Sequence, residues 1–343
     1  MKQFFRYTLF LVIALGVLSC EEEESLLPES VITVVETHHS ELDQWIFDTF
    51  TQPYNIEIKW KWDDGEVDNN FHVIPPQKEK AEAFLKALLE IWIKPYEAEA
   101  GTEFIKTYSP KLIFLVGTPQ YNADGTMTVG LAEGGRKVTV FDVNSFNPTD
   151  LQSMTKAFHT MHHEFAHIMH QKVMFSTDFK EVCKGDYTGA WYNVDELTAN
   201  IKGFITPYSM SKDVEDWVEI VAAILTHVKD SNTPSEYEAP VYDNMGAAQF
   251  DEKGVMIFEK KQMSEWTYRI HNIGIGAIEH EGKLVLVQHP DAVEGRSKLL
   301  TKLNMVQNYY QRVWNIDLIQ LQKRIENSAI KLIEENKETT DDE

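Results

Sequence analysis

Residues 161 to 171 read MHHEFAHIMHQ and contain four histidines and one glutamate. His163 and His167 are four residues apart, so on a helix their imidazoles point to the same side, one turn from each other. Two imidazoles in that arrangement can bind one metal ion. Glu164 follows His163 directly and would lie beside the ion, where a general base for a zinc-activated water is needed. This HExxH spacing predicts a single zinc ion and hydrolytic chemistry.

The remaining histidines of this stretch do not supply the third protein ligand that such a zinc ion needs. His170 shares the helical face but lies about 10 Å along the axis from His163, which is too far for ligands on one straight helix. We therefore interpret His170 as a surface or second-layer residue. His159 and His162 are interpreted as bystanders.

The third ligand must come from another helix, and two segments offer one. DELTAN contains Glu196, whereas DVEDWVEIV contains Glu215 and Glu219, four residues apart. The second pair lies beside a stripe of apolar residues at helical spacing, which would place both carboxylates at the edge of the core. One of them could bind zinc while the other accepts a hydrogen bond from a ligand histidine. A solvated face is the commoner fate of helix glutamates, so the residues alone leave both segments open.

The elements that must position these side chains follow from the hydrophobic pattern. Helices are predicted at residues 77–97, 147–173, 212–229 and, with an interruption near WNID, 297–336. Strands are predicted at residues 54–62, 111–117 and 134–144, with a turn at 121–130. Residues 231–296 are interpreted as an irregular elaboration with one hairpin around IEHEGKLVLV. Mixed strands and helices followed mainly by helices indicate an α+β fold.

The N-terminus has the pattern of a bacterial lipoprotein signal. Lys2 and Arg6 precede an apolar run that is too short to span a bilayer and that ends at Cys20. We predict a signal peptide at residues 1–19, lipid attachment at Cys20, and an acidic tether over residues 20–30. Cys183 is the other cysteine, so acylation of Cys20 would leave no intrachain disulfide.

The formal net charge of -22 argues against nucleic acid as a partner, because phosphate binding needs a basic surface. An acidic surface of this kind mainly favours solubility. Residues 31–343 contain no repeat and no linker that would divide them, so we predict one domain.

A tyrosine extends the pattern around the second glutamate-bearing segment. In YSMSKDVEDWVE, Tyr208 precedes Glu215 by seven residues, and Glu219 follows four residues later. Downstream of HHEFAH, this spacing resembles the gluzincin arrangement of the anthrax lethal factor catalytic domain. The resemblance implies that Glu215 binds zinc and that Glu219 supports a ligand histidine. It also implies that Tyr208 assists the transition state.

Most of the chain resembles the Bacteroidetes zinc-binding metallopeptidases, also called substrate import-associated zinc metallohydrolase lipoproteins. The matching segments are LDQWI, PYNIEIKW, IKPYEAEAG, AEGGRKVTVFDVN, HHEFAHIMHQ, GFITPYSMSKDVEDWVE and VQNYYQRVWNIDL, whereas residues 231–296 depart from the pattern. The resemblance implies a zincin-like metallopeptidase domain with a small mixed sheet, an HExxH helix, a glutamate-bearing helix and a long C-terminal helix. It further implies import partners such as a TonB-dependent transporter and a SusD-like lipoprotein. The resemblance does not imply the substrate; we expect a peptide or protein substrate, and attachment to the outer membrane through Cys20 on either face.

Two functions from different classes stay open. The first is a zinc metallopeptidase with Glu164 as general base. The second is a non-catalytic lipoprotein that captures peptide or glycan for a TonB-dependent import system. Glu164 discriminates between them, because a pure binding protein has no use for a carboxylate that ligates nothing. The strand near residues 136–142 could be a sheet edge that pairs with an extended peptide, or an ordinary core strand.

Overall fold

The computed structural model describes residues 40–68, 70–123, 125–226, 236–241, 249–262, 275–280, 283–288 and 290–341. The chain divides into two units, Met1–Glu41 and Leu42–Glu343, and almost all described residues belong to the second. The predicted signal peptide, Cys20 and the acidic tether lie outside the described residues. Among the described helices, none is long and apolar enough to cross a membrane.

Helices and short strands alternate in the first half of the described chain, and helices dominate its end. The helices are α1 Glu41–Ile46, α2 Gln52–Tyr54, α3 Lys78–Leu88, α4 Lys94–Ala100, α5 Thr102–Tyr108, α6 Leu151–Lys172, α7 Asp178–Glu181, α8 Glu196–Ile201, α9 Asp213–Leu225, α10 Pro290–Tyr309 and α11 Leu318–Asp341. The strands are β1 Glu57–Lys59, β2 Leu112–Leu115, β3 Gln120–Tyr121, β4 Met127–Thr128, β5 Gly130–Glu133, β6 Lys137–Val140, β7 Glu236–Pro240, β8 Phe258–Gln262, β9 Ile275–His280 and β10 Lys283–Gln288. The predicted α+β class, with a small mixed sheet and a long C-terminal helix, is confirmed.

A four-stranded mixed sheet has the order β1-β2-β6-β5. Strands β1, β2 and β6 are parallel, and β5 is antiparallel to β6. Gly134 and Gly135, both with positive φ, form the turn by which the chain reverses from β5 into β6. Because β6 lies between β2 and β5, the interpretation of residues 136–142 as a sheet edge is wrong, and β5 is the edge strand on that side.

Helix α6 carries the HExxH motif and packs against both β5 and α9. Asp150 begins it, because its carboxylate accepts a hydrogen bond from the Ser153 backbone N–H at 2.8 Å. Apolar side chains at helical spacing bury one face in the core: Met154, Phe158, Met161, Phe165 and Ile168. This burial, and the packing of α9 against α6, fix the face of α6 on which His163 and His167 meet α9.

Helix α9 carries the second group of acidic residues. Its apolar side includes Val218, Val221 and Leu225, which are fully buried. The predicted helix 212–229 is confirmed over Asp213–Leu225, and Val228 of the predicted apolar stripe lies outside the described residues. The C-terminal helix is interrupted by a π-helical turn at Tyr310–Trp314 and by Asn315 at φ 54°, as the WNID break predicted.

Three predictions for the remaining elements need correction. The strand predicted over residues 54–62 is limited to β1, because residues 52–54 are helical and Asn55 has a φ of 57°. The turn predicted at residues 121–130 contains a short hairpin, β3 with β4. Residues 231–296 are less irregular than predicted, because they contain two antiparallel strand pairs, β7 with β8 and β9 with β10. The second of these pairs is the hairpin that IEHEGKLVLV predicted.

Candidate metal centre

Helices α6 and α9 bring two imidazoles and one carboxylate to a common point. The Glu215 Oε2 atom lies 3.1 Å from Nε2 of His163 and 3.1 Å from Nε2 of His167. All three side chains are largely withdrawn from solvent, with side-chain exposures of 10% for His163, 14% for His167 and 6% for Glu215. The three ligand atoms lie within 4.8 Å of one another, so these residues could hold one metal ion.

The donor set fits zinc in both chemistry and spacing. Two neutral imidazoles and one carboxylate are the ligands of a catalytic zinc ion that keeps its fourth position open. Ligand atoms at about 2.0–2.1 Å from a tetrahedral ion are separated by about 3.3 Å. The separations of 3.1 Å from Glu215 to each imidazole are close to that value.

Glu219, one turn after Glu215, contacts the opposite nitrogen of His163. Its Oε1 atom lies 2.8 Å from His163 Nδ1 and 2.9 Å from His159 Nε2. Its Oε2 atom accepts a hydrogen bond from Thr206 Oγ1 at 2.7 Å. Carboxylates in this outer position orient a ligand imidazole and fix its tautomer. Glu219 therefore holds His163 so that Nε2 faces Glu215.

Among the described residues, two sets could hold a metal ion: His163, His167 and Glu215, and also His159, His163 and Glu219. Glu164 is buried beside them and belongs to neither. Its carboxylate accepts a hydrogen bond from the backbone N–H of Ala132 in the edge strand β5. The approach of β5 requires glycine at position 130, where a Cβ atom would lie 2.3 Å from Thr160 Cγ2 and 2.9 Å from Glu164 Oε1. Glu164 is thus held between the helix and the sheet edge.

An open cleft of about 260 Å³ lies above these residues, and we call it the HExxH cleft. Its lining includes His163, Glu164 and the aromatic side chains of Trp191 and Tyr208. The Tyr208 ring stacks on His163 with centroids 5.9 Å apart, and Trp191 packs edge-on against Tyr208 at 4.8 Å. Tyr208 is 36% exposed and its hydroxyl shares a hydrogen bond with Glu215, so it is a cleft residue rather than a core tyrosine.

Comparison with known proteins gives the family. The family model described as "Putative zinc-binding metallo-peptidase" matches residues 35–319. The chain belongs to this zinc-binding metallopeptidase family. A crystal structure with the same description, from Bacteroides caccae ATCC 43185, has 27% sequence identity and a TM-score of 0.61, and the match covers 89% of this chain and 97% of that chain. No curated protein matched.

The cofactor of this metallopeptidase family is zinc, and burial and charge shape the acid–base properties of the centre that could bind it. Burial alone would lower the pKa of His163, but its hydrogen bonds with Glu215 and Glu219 reverse the direction and raise that pKa to about 10. A metal ion therefore has to displace a proton that the same carboxylates stabilise. Burial raises the pKa of Glu164 above its usual range, although the imidazoles of His163 and His167 oppose the rise.

Sequence reasoning missed one outer-layer histidine of the metallopeptidase centre. His159 contacts Glu219, so its interpretation as a bystander is wrong. His170 Nε2 lies 3.0 Å from His167 Nδ1, so of the two alternatives given for His170, a surface or a second-layer residue, the second is confirmed. His159 lies four residues before His163 on the same helical face, and that spacing is the signal that could have identified it. Thr206 gave no comparable signal in the sequence.

His162 and Glu196 stand apart from the centre. His162 is fully buried on the core side of α6, with its ring 5.8 Å from that of Tyr96, and burial lowers its pKa to about 3. Glu196 is exposed in the first turn of α8 and belongs to neither metal-capable set. Of the two segments that sequence reasoning left open for the third ligand, the structure brings the α9 segment to the histidines.

Proposed function

We propose that this metallopeptidase hydrolyses peptide bonds through a gluzincin-type centre, in which His163, His167 and Glu215 hold one zinc ion and Glu164 is the general base. The observation that supports this most is the position of Glu215 Oε2, 3.1 Å from both motif Nε2 atoms. A carboxylate from a distant helix at that point completes the three protein ligands of a catalytic zinc site.

When bound, zinc supplies Lewis-acid chemistry, polarising a substrate carbonyl and making a water molecule more acidic. Glu164 is suited to take the proton of the attacking water. Burial raises the pKa of Glu164 and so moves it toward neutral pH. A group that must both accept and return a proton works best when its pKa is near the working pH. Glu164 would then deliver that proton to the leaving amine nitrogen.

Tyr208 is proposed to stabilise the oxyanion that forms from the scissile carbonyl. Burial raises the pKa of its hydroxyl above the usual range, and the neighbouring Glu215 adds to the rise, so the group stays protonated and can donate a hydrogen bond. Stacking on His163 and contact with Trp191 fix the ring at the wall of the HExxH cleft.

The edge strand β5 is proposed to align the peptide. In the antiparallel pair with β6, Leu131 faces Thr139 and Glu133 faces Lys137. The Phe141 N–H donates to the Val129 carbonyl, and the pairs 131–139 and 133–137 are in phase with this bond, so the odd-numbered residues of β5 are hydrogen-bonded to β6. The backbone groups of Gly130 and Ala132 then point away from β6; the Ala132 N–H donates to Glu164, and the Gly130 groups and the Ala132 carbonyl are the ones that could pair with a peptide. An extended peptide can add to such an edge by β-augmentation.

We further propose that the chain acts as an outer-membrane lipoprotein anchored through Cys20, with peptide or protein as substrate. An apolar run of signal-peptide length that ends at Cys20 and is followed by EEEES supports this proposal. A TonB-dependent transporter and a SusD-like lipoprotein are the proposed partners, on the strength of the family resemblance.

Glu164→Gln tests the proposed catalysis and separates it from the binding alternative. The variant should keep its zinc and lose about 10²–10⁴-fold in the rate of hydrolysis of a denatured-protein substrate, because only the general base is removed. Metal analysis and a cleavage assay measure the two effects. If wild type and variant are equally inert across a broad peptide library, the chain is a binding lipoprotein rather than a peptidase.

A further inference from the structure

A second cavity, of about 370 Å³, lies beside the N-terminal half of α6, and we call it the α6 cavity. It is bounded by α6, by the C-terminal end of β6 and the loop that follows, and by Phe84 of α3. Its volume falls in the range of about 300–1,000 Å³ that small-molecule sites have. No residue proposed to bind zinc or to act in catalysis lines it.

The floor of the α6 cavity is apolar and partly aromatic. Phe84, Val140, Val143 and Phe146 line it and are all at most 3% exposed. Phe84 and Phe146 meet edge to face, with ring centroids 5.5 Å apart and an angle of 86° between the planes. An added aromatic ring can extend such an arrangement, and an aliphatic side chain of similar size would also be well packed.

The rim of the α6 cavity is polar, but its carboxylates are already engaged. The Asp142 carboxylate accepts hydrogen bonds from Ser145 Oγ at 2.6 Å and from Lys156 Nζ at 2.8 Å. The Asp150 carboxylate caps α6 through the Ser153 N–H. Since the floor holds no charged group and Asp142, Asp150 and Lys156 are already hydrogen-bonded, a charged side chain inside would lose hydration without gaining a partner.

Asp142 gives the rim a fixed shape. It is one of three non-glycine residues with positive φ among the described residues, at 64°. The left-handed conformation is uncommon for residues other than glycine, although aspartate tolerates it better than most. Here the hydrogen bonds to Ser145 and Lys156 hold it, and the bond to Lys156 ties the loop after β6 to α6.

The α6 cavity adjoins the HExxH cleft. Val129 and Thr160 line both. Val129 precedes the edge strand β5, and Thr160 lies one helical turn before Glu164. A peptide that adds to β5 with a carbonyl near Glu164 would therefore place a neighbouring side chain at the boundary between the two spaces, beside Val129 and Thr160.

We propose that the α6 cavity is a specificity pocket that takes a large apolar or aromatic side chain of the peptide substrate. This inference rests on the proposed peptidase function. The polar residues at the rim would contact the peptide backbone, and the floor would select the side chain by size and by its lack of charge.

Ala157→Leu tests the pocket, because Ala157 lines the α6 cavity and not the HExxH cleft. The zinc-loaded full-length wild type and the Ala157→Leu variant are each incubated with the same peptide library. The cleavage sites are mapped by mass spectrometry. Wild type should favour Phe, Tyr, Trp, Leu or Met at one position near the scissile bond. In the variant, the ratio of cleavage at a large apolar residue to cleavage at Ala in the same position should fall about 10-fold or more. The zinc content should be unchanged. Ala98→Leu, at an exposed position of α4, is the matched control.

A binding measurement keeps this test separate from the test of catalysis. N-acetylphenylalanine amide is titrated into Glu164→Gln and into Glu164→Gln/Ala157→Leu by NMR. Binding that the second substitution abolishes supports the pocket even if no variant hydrolyses peptide. Hydrolysis by wild type with a cleavage profile that Ala157→Leu leaves unchanged overturns the pocket while the peptidase function stands. Probe binding that is equal in the two proteins, or absent from both, also overturns it.

Discussion

Glu215 and Glu219 of α9 contact different nitrogens of the same imidazole. Glu215 Oε2 lies 3.1 Å from His163 Nε2, and Glu219 Oε1 lies 2.8 Å from His163 Nδ1. A spacing of four residues on one helix places both carboxylates on the same face, so one can bind metal while the other orients the ligand. The two glutamates should therefore differ in their effect on zinc, with Glu215 the more important.

Glu215→Ala should lower the zinc content of the purified protein far more than Glu196→Ala does. The first removes one of three protein ligands, whereas Glu196 is exposed and lies outside both metal-capable sets. Metal analysis after equilibration with a weak chelator makes the comparison. The reverse order would show that the third ligand comes from α8 and would contradict the assignment of Glu215.

His170 is placed to orient the ring of His167. A carboxylate, a backbone carbonyl or a water molecule usually has this role, and a neutral imidazole rarely does. Burial lowers the pKa of His170 to about 4, so the ring is neutral at pH 7 and its Nε2 can accept the Nδ1–H of His167. His170→Phe keeps a ring in the buried space and removes that acceptor. We expect zinc affinity to fall about 10–100-fold, as it does when an outer-layer partner is lost.

His162→Phe is the matched control for His170→Phe, because both residues are buried on α6. His162 packs against Tyr96 in the core and contacts no metal-capable set. Its replacement should change the free energy of unfolding but leave zinc affinity, measured by competition with a chromophoric chelator, as in wild type. Equal losses of zinc affinity in the two variants would mean that His170 acts only through packing.

At the scale of elements, a buried ion pair joins α9 to α10. Lys302 Nζ lies 2.5 Å from Asp216 Oδ2, and both side chains have zero exposure. Lys302 also donates to the Gly203 carbonyl at 2.8 Å, and Asp216 accepts from the Tyr187 hydroxyl at 2.9 Å. Because Asp216 is adjacent to Glu215, this pair fixes the part of α9 that faces the zinc motif.

Lys302→Met should destabilise the fold by about 3–5 kcal/mol, because it leaves the Asp216 carboxylate buried without its cation. The double variant Lys302→Met/Asp216→Leu should recover much of that loss, since no uncompensated charge remains. Denaturant unfolding measures both. Lys86→Met, which breaks an exposed pair with Glu82, is the control and should have little effect. A single variant as stable as this control would show that the ion pair contributes nothing to the packing of α9.

The sequence predicted α6 and α9 well because each combines a clear apolar face with a length of several turns. The short elements were harder. Residues 54–62 alternate apolar and polar side chains, yet Tyr54 ends the preceding helical segment and Asn55 takes a left-handed conformation, so only three residues pair in β1. The position of β6 inside the sheet could not be predicted, because strand order depends on long-range pairing that one sequence does not encode locally.

Part of the centre was also predictable. The HExxH spacing identifies His163 and His167, and the family resemblance selected Glu215 over Glu196, which residue spacing alone could not do. Thr206 and the αL residue Asp142 were not predictable, because their contacts come from the meeting of distant segments. The roles of the predicted ligands and of Glu164 stay predictions until metal and activity are measured.

At the scale of the whole molecule, the N-terminal segment is proposed to decide where the metallopeptidase acts. Cys20→Ala should abolish incorporation of labelled palmitate and move the protein out of the membrane fraction, because the lipid is the proposed anchor. Fractionation of cells that express either form makes the comparison. If wild type and variant partition alike and neither takes up label, the lipoprotein proposal is wrong. The net charge of -22 would then serve only solubility.

The most direct test of the central claim is anomalous diffraction at the zinc edge from crystals of the zinc-loaded protein. We predict one strong peak, about 2.0–2.2 Å from Nε2 of His163, Nε2 of His167 and a carboxylate oxygen of Glu215, with Glu164 close by but not coordinating. A peak bound by the two histidines while Glu215 points elsewhere, or a peak at another group of residues, would contradict the account.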